Sequence, residues 1–181
     1  LGETVVPAWN KVAEGLVILS FPDGVTREHA QYEGANIKQA DVNLLAYPLR
    51  LITDPAQIEK DLAYYETRVP EKNTPAMTQA IFSLLYSRLG NVDKATHFFK
   101  DAYLPNLNPP FRVIAETKGG VNPYFITGAG GVLQAVMMGF GGLAITDNGI
   151  IQEKTGVLPL HWKALTLKGI GIKGEVYSRK K

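Results

Sequence analysis

Lys38, Gln39 and Asp41 stand together at the head of an otherwise apolar stretch, Asn36-Ile37-Lys38-Gln39-Ala40-Asp41-Val42-Asn43-Leu44-Leu45. On a helix, positions three and four apart share a face, so Lys38 falls with Asp41 while Ala40, Leu44 and Leu45 look inward. The cation, amide and carboxylate would then sit at the rim of whatever the leucines bury, a place that suits a polar partner. Spacing alone is equally met by a capped helix with an internal ion pair. A second acid, Glu116, ends the short extended segment Phe111-Arg112-Val113-Ile114-Ala115-Glu116 inside a loop rich in proline and glycine. Loops held on a helical scaffold are where chemistry tends to sit, although a single acid there is equally a surface carboxylate. Of the three histidines, His29 is alone in a polar loop without partners for a metal, His97 lies among apolar helix positions as a packing residue, and His161 beside Trp162 reads as structural.

The elements that must carry these residues are mainly helical. Pro7 opens a short helix through Trp9, Val12 and Ala13, stopped by Gly15. Leu16 to Phe21 reads as a brief strand closed by the turn Pro22-Asp23-Gly24, and an irregular charged connection, Arg27 to Gly34, leads into the Lys38 helix, which Pro48 ends. Asp54-Pro55 has an N-cap carboxylate followed by proline at the first helical position, so a helix runs on through Ile58, Leu62, Tyr65 and Val69. Thr74-Pro75 repeats that signal before Met77 to Leu89. After the Gly90 stop, Asn91 to Tyr103 is a further amphipathic helix with Val92, Ala95, Phe98, Phe99 and Ala102 inward. Short connections make such neighbours antiparallel. No repeat of fixed period is visible.

From Leu104 to Pro123 prolines and glycines break the rhythm, and the uncharged run Val121 to Thr146 then reads as a buried helix ended by Gly139, Gly141 and Gly142. It is long enough to raise a membrane span. Its Asn122, Pro123 and Gln134, and its glycine-rich start, argue against one. Beyond Gly142 the texture turns to β: Asp147-Asn148-Gly149 is a hairpin turn between Leu143-Ala144-Ile145-Thr146 and Ile150-Ile151. Further short strands are expected at Leu158 to Leu160, Trp162 to Leu167 and Gly171 to Tyr177.

Composition bounds the reading. The chain has 181 residues, 45% of them apolar and 20% charged, which is ordinary for a globular domain with a proper core. Without cysteine, disulfides and thiolate metal sites are excluded. The net charge is +2, much of it in the tail Ser178-Arg179-Lys180-Lys181, and no basic stripe with interleaved aromatics marks a nucleic-acid partner. The chain opens on Leu1-Gly2-Glu3 with neither methionine nor signal peptide, so a fragment of a longer protein is expected, and a leader on the parent would place it in the periplasm or outside the cell.

Four motifs occur in a familiar order: Ile37-Lys38-Gln39-Ala40-Asp41-Val42, Thr74-Pro75-Ala76-Met77-Thr78, Phe111-Arg112-Val113-Ile114-Ala115-Glu116, and Thr127-Gly128-Ala129-Gly130-Gly131-Val132-Leu133-Gln134-Ala135-Val136. In these motifs the chain resembles glycoside hydrolase family 65, which contains acid trehalases, related α-glucoside hydrolases, and phosphorylases of maltose, trehalose and kojibiose. The resemblance implies that residues 1–142 are the C-terminal portion of an (α/α)6 toroid of helical hairpins and residues 143–181 the start of a small C-terminal sheet domain. It also implies that Lys38 and Gln39 bind glucosyl hydroxyls in subsite −1. A cation and an amide offer donors and an acceptor to neighbouring hydroxyls, and discrimination rests on leaving none unpaired.

Family members invert configuration. A hydrolase then needs a carboxylate general base to activate water, roughly 6.5–9.5 Å from the general acid, whereas a phosphorylase needs an anion pocket. Glu116 stands at the place of the hydrolase base. The stretch Tyr124-Phe125-Ile126-Thr127-Gly128-Ala129-Gly130-Gly131 has no histidine of the kind the phosphorylases use for phosphate, which favours water as acceptor, while close helix packing explains its glycines in either enzyme. The expected activity is hydrolysis of an α-glucoside such as a trehalose- or kojibiose-like sugar, without cofactor or metal; disaccharide phosphorolysis and a non-catalytic carbohydrate-binding or interaction module are the rivals. The family's general acid lies upstream of the Lys-Gln motif and has no match before Lys38; Glu28, Glu33 and Asp41 are the nearby carboxylates that could compete for a role. The isolated chain is therefore expected to be inactive without the rest of its parent.

Overall fold

The computed structural model describes residues 6–181. Its centre is the helix α3, Ala76–Arg88, where eleven of thirteen residues are buried. Around it lie α2 (Pro55–Glu66), α4 (Val92–Asp101) and α5 (Ile126–Gln134), with a short outlying α1 at Pro7–Gly15 that buries nothing. The Asp54-Pro55 and Gly90-Asn91 signals act as their chemistry dictates, whereas Thr74 does not cap α3: its hydroxyl donates to the carbonyls of Pro70 and Glu71, and Pro75 takes the cap position. The Asp54 carboxylate accepts the Ala56 N–H at 3.1 Å and Pro55 opens α2; Gly90, at φ +83°, turns the chain between α3 and α4, and the Asn91 side chain accepts the Lys94 N–H. The core gathers Leu62, Tyr65, Phe82, Leu85, Tyr86 and Phe140, none more than 2% exposed. Buried hydroxyls on α3 tie it to its neighbours: Ser83 donates to the Ala95 carbonyl and Ser87 to that of Val157, both at 2.9 Å.

α5 lies close against α3 because both present small residues. A Cβ added at Gly131 would stand 3.1 Å from that of Ala80, and one at Gly128 would stand 3.0 Å from that of Ala76. The helix continues through a wider final turn, Ala135–Phe140, and stops at Gly141 and Gly142.

Among the described residues there are also three antiparallel strand pairs: β1 (Leu107–Asn108) with β2 (Val113–Ile114), β3 (Leu143–Thr146) with β4 (Gly149–Gln152), and β5 (Ala164–Ile170) with β6 (Glu175–Lys180). Thr146 faces Gly149, so the β3–β4 loop is Asp147-Asn148 as the turn signal requires. Within the β-rich end Arg179 on β6 donates to the carbonyls of Glu153, Thr155 and Gly156. That end is fastened to the helices by Glu153, ion-paired to Arg88 of α3 as well as to Arg50, and by the rings of Phe140, Phe99 and Trp162, which meet edge to face.

Several expectations are corrected. The stretch from Asn36 to Leu45 is not an α-helix; it is irregular up to Asp41 and ends in one 3-10 turn, Val42–Leu45. Its backbone finds tertiary partners instead, the Ile37 N–H donating to the Arg68 carbonyl, and Pro48 has no N–H to offer the carbonyl of Leu44. Leu16 to Phe21 forms no strand beyond a single bridge between Ser20 and Thr26, although the turn at Gly24 is present with φ +85°. Leu158 to Leu160 is not a strand. His97 is not packed among the inward residues of α4: its side chain is 65% exposed and lies 3.6 Å from the Asp101 carboxylate one turn on. His161 is likewise exposed.

Candidate active site

The first turn of α3 holds two of the residues singled out by their chemistry. Its Ala76 N–H, which has no partner within the helix, donates at 2.9 Å to the Glu116 carbonyl. The Thr78 hydroxyl, fully buried, donates at 2.7 Å to the Lys38 carbonyl. The Glu116 backbone is pinned further by Asn106, whose buried amide donates to the carbonyls of Ala115 and Glu116 at 3.2 and 3.3 Å. Next to it, the Lys118 N–H bonds to the Thr74 carbonyl.

With both backbones tied to one helix end, the side chains meet. Lys38 Nζ stands 2.5 Å from Glu116 Oε1, with the lysine 62% and the glutamate 26% exposed. The hydrogen-bonded Lys38 ammonium holds the Glu116 carboxyl below its ordinary value; partial burial opposes it, and a hydrogen bond from Asn122 adds to the lowering. The carboxylate is therefore ionised at neutral pH and keeps an open side toward solvent. Lys38 thus pairs with Glu116 rather than with Asp41, because the helix that would have aligned Lys38 with Asp41 does not form.

Gln39 follows Lys38 and is exposed; no side-chain hydrogen bond involves it among the described residues. Ala40 turns inward and is 1% exposed, which directs its two neighbours outward. The other acids lie elsewhere in the local network. Glu33 is ion-paired to Arg27 at 2.6 Å. Glu28 is half-buried, and burial first, then the charge of Asp41, push its carboxyl above the ordinary range.

The glycine-rich stretch adjoins the site through its backbone, the Phe125 N–H donating at 3.0 Å to the carbonyl of Ile114 in β2. Gly128 and Gly131 face α3 and are consumed in helix packing. No group of three or more histidines and carboxylates that could hold a metal occurs among the described residues, and none of their helices is long and apolar enough to cross a membrane.

Three residues that position the site were not singled out as such by sequence reasoning: Thr78, Asn106 and Asn122. Thr78 lies inside the motif Thr74-Pro75-Ala76-Met77-Thr78. Asn106 and Asn122 carry no local signal, since what defines them is a bond to Glu116 that exists only once their own loop has its shape. Chemically, the arrangement offers an ionised carboxylate able to accept a proton or a hydroxyl hydrogen bond, with a cation and an exposed amide beside it.

The profile of the glycosyl hydrolase family 65 central catalytic domain matches residues 24–121, a span that includes Lys38, Gln39 and Glu116. This chain belongs to that family. It is 68% identical over 171 residues to a kojibiose hydrolase of Mucilaginibacter mallensis, covering 94% of this chain and 25% of that protein. It is 62% identical over 177 residues to a kojibiose hydrolase of Flavobacterium johnsoniae, covering 98% and 26%. A protein-glucosylgalactosylhydroxylysine glucosidase of Dictyostelium discoideum is 40% identical over 140 residues, covering 76% and 19%. The chain thus spans about a quarter of the length of the first two relatives.

Proposed function

We propose that this chain is the part of an inverting α-glucoside hydrolase that carries the general base, Glu116, and two sugar-binding residues, Lys38 and Gln39. The observation that carries the reading is the contact of Lys38 Nζ with Glu116 Oε1 at 2.5 Å, which puts a cation and an ionised carboxylate at one solvent-open place within the family-matched span. In this reading residues 1–142 close an (α/α)6 toroid with upstream hairpins, and residues 143–181 begin a separate sheet domain. The general acid comes from the upstream part.

The roles follow from the chemistry of inversion. The upstream acid protonates the departing glycosidic oxygen while Glu116 takes a proton from a water on the opposite face of the ring, so that an α-glucoside yields β-glucose. A sugar ring cannot stand between groups 2.5 Å apart. On binding, Lys38 therefore exchanges its bond to Glu116 for the sugar hydroxyls, with Gln39 supplying a donor and an acceptor to their neighbours. That exchange frees Oε1 to receive the water. The likeness to two kojibiose hydrolases makes a kojibiose-like glucosyl disaccharide the first substrate to try.

The test is to incubate the full-length enzyme with kojibiose in phosphate-free buffer and follow the products by proton NMR. Immediate release of β-glucose supports the proposal. A reaction that requires inorganic phosphate and yields glucose 1-phosphate would instead establish a phosphorylase.

A further inference from the structure

Glu116 is a loop residue in a partly exposed place, and its neighbour Lys38 is the more exposed of the pair. If Lys38 turns to the sugar, something else must keep the carboxylate aimed. The loop that follows the glutamate supplies it. The Asn122 amide donates at 3.3 Å to Glu116 Oε2, whereas Lys38 stands at Oε1, and its own oxygen accepts the Glu116 N–H at 3.4 Å. Asn122 thus grips the side chain and the backbone of one residue at the same time, which fixes the carboxylate relative to its own main chain.

The loop is built to return there. The Gly120 N–H closes a turn onto the Thr117 carbonyl at 2.8 Å, Gly119 at φ +70° donates to the Pro105 carbonyl, and the Asn108 amide donates to the Gly120 carbonyl at 2.9 Å. The turn is so tight that a Cβ on Gly120 would come within 2.9 Å of the Thr117 carbonyl oxygen and 3.1 Å of the Asn122 side-chain oxygen. Asn122 is itself exposed, so it is not there to fill the core.

We infer that Asn122 is a positioning residue for the Glu116 base, holding Oε2 and leaving Oε1 for the attacking water once Lys38 has moved to the substrate. The inference rests on Glu116 being the base. It assigns to Asn122 an effect on the ionisation of Glu116 that a merely structural loop residue would not have: a donor to the carboxylate favours its charged form, and a second carboxylate in the same place disfavours it.

The experiment is the pH profile of kcat/KM for the full-length enzyme and its Asn122→Ala, Asn122→Asp and Glu116→Gln variants. The acid limb reports the ionisation of the free enzyme's base. Asn122→Ala should move that limb upward, and Asn122→Asp should move it further, by about one pH unit for a unit charge facing Glu116 near the surface, with kcat falling more than KM changes. An acid limb unmoved in both Asn122 variants, alongside an inactive Glu116→Gln, would overturn the role of Asn122 and leave the base standing. Parental turnover by Glu116→Gln would overturn the base, and the inference with it.

Discussion

The attachment of Lys38 to α3 is open to a direct perturbation, Thr78→Val. The Thr78 hydroxyl is fully buried and donates to the Lys38 carbonyl at 2.7 Å, while the adjoining Ile37 N–H donates to the Arg68 carbonyl. Valine keeps the volume and loses the donor, so the variant opens no cavity but leaves a partly buried carbonyl unpaired, at a cost of about 1–3 kcal/mol. Burial of the new methyl offsets part of this, leaving roughly 1–2 kcal/mol, a factor of about 5–30 in a local opening equilibrium. Hydrogen exchange followed by mass spectrometry on the full-length protein reads that factor as faster exchange of the Ile37 amide, with the amides in the middle of α3 changed much less. Thr78→Ser is the control: it keeps the donor and should leave the Ile37 amide as protected as in the parent. Parental protection of Ile37 in Thr78→Val, or the same loss in Thr78→Ser, would refute the claim that this hydroxyl holds the lysine segment.

Two further outcomes concern the joint between the helices and the β-rich end. Phe140 is fully buried with ring centroids 5.0 Å from Phe99 and 5.6 Å from Trp162, so Phe140→Ala should cost about 3–5 kcal/mol in urea unfolding; a loss under about 1 kcal/mol would show that the site collapses without it. Burial pushes the Glu153 carboxyl up, but Arg88 and Arg50 more than offset it and the net direction is down. Because its folded value lies below the unfolded one, its stabilisation is present above the unfolded value, about 4.3, and fades as pH falls through the folded value. Glu153→Gln should therefore be less stable than the parent at neutral pH, and the gap in thermal midpoint should close below about pH 4; a gap independent of pH would contradict the ion-pair account.

The legible parts of the sequence were those fixed by local chemistry. Asp54-Pro55, Gly90 with Asn91, and Asp147-Asn148-Gly149 each carry their own cap or turn, and α2, α4 and the β3–β4 hairpin form where those signals stand. The Lys38 stretch misled because its apolar spacing is helical, while its hydrogen bonds go to Arg68 and Thr78, partners far along the chain. His97 misled for a related reason: in sequence it lies between the inward Ala95 and Phe98, but adjacent helix positions point in different directions. The approach of Lys38 to Glu116 could not be read from spacing at all, since 78 positions separate them; only the motif order of the family suggested that they share a site. Asn106 and Asn122 were invisible until the loop from Leu104 to Pro123 had a shape.

In the proposed mechanism Glu116 accepts the proton of the attacking water. The decisive measurement is glucose release from kojibiose by the full-length Glu116→Ala variant with and without sodium azide. Loss of hydrolysis together with formation of β-glucosyl azide on adding the anion is the predicted result, because azide attacks the same face without needing a base. Hydrolysis at the parental rate without azide would contradict it.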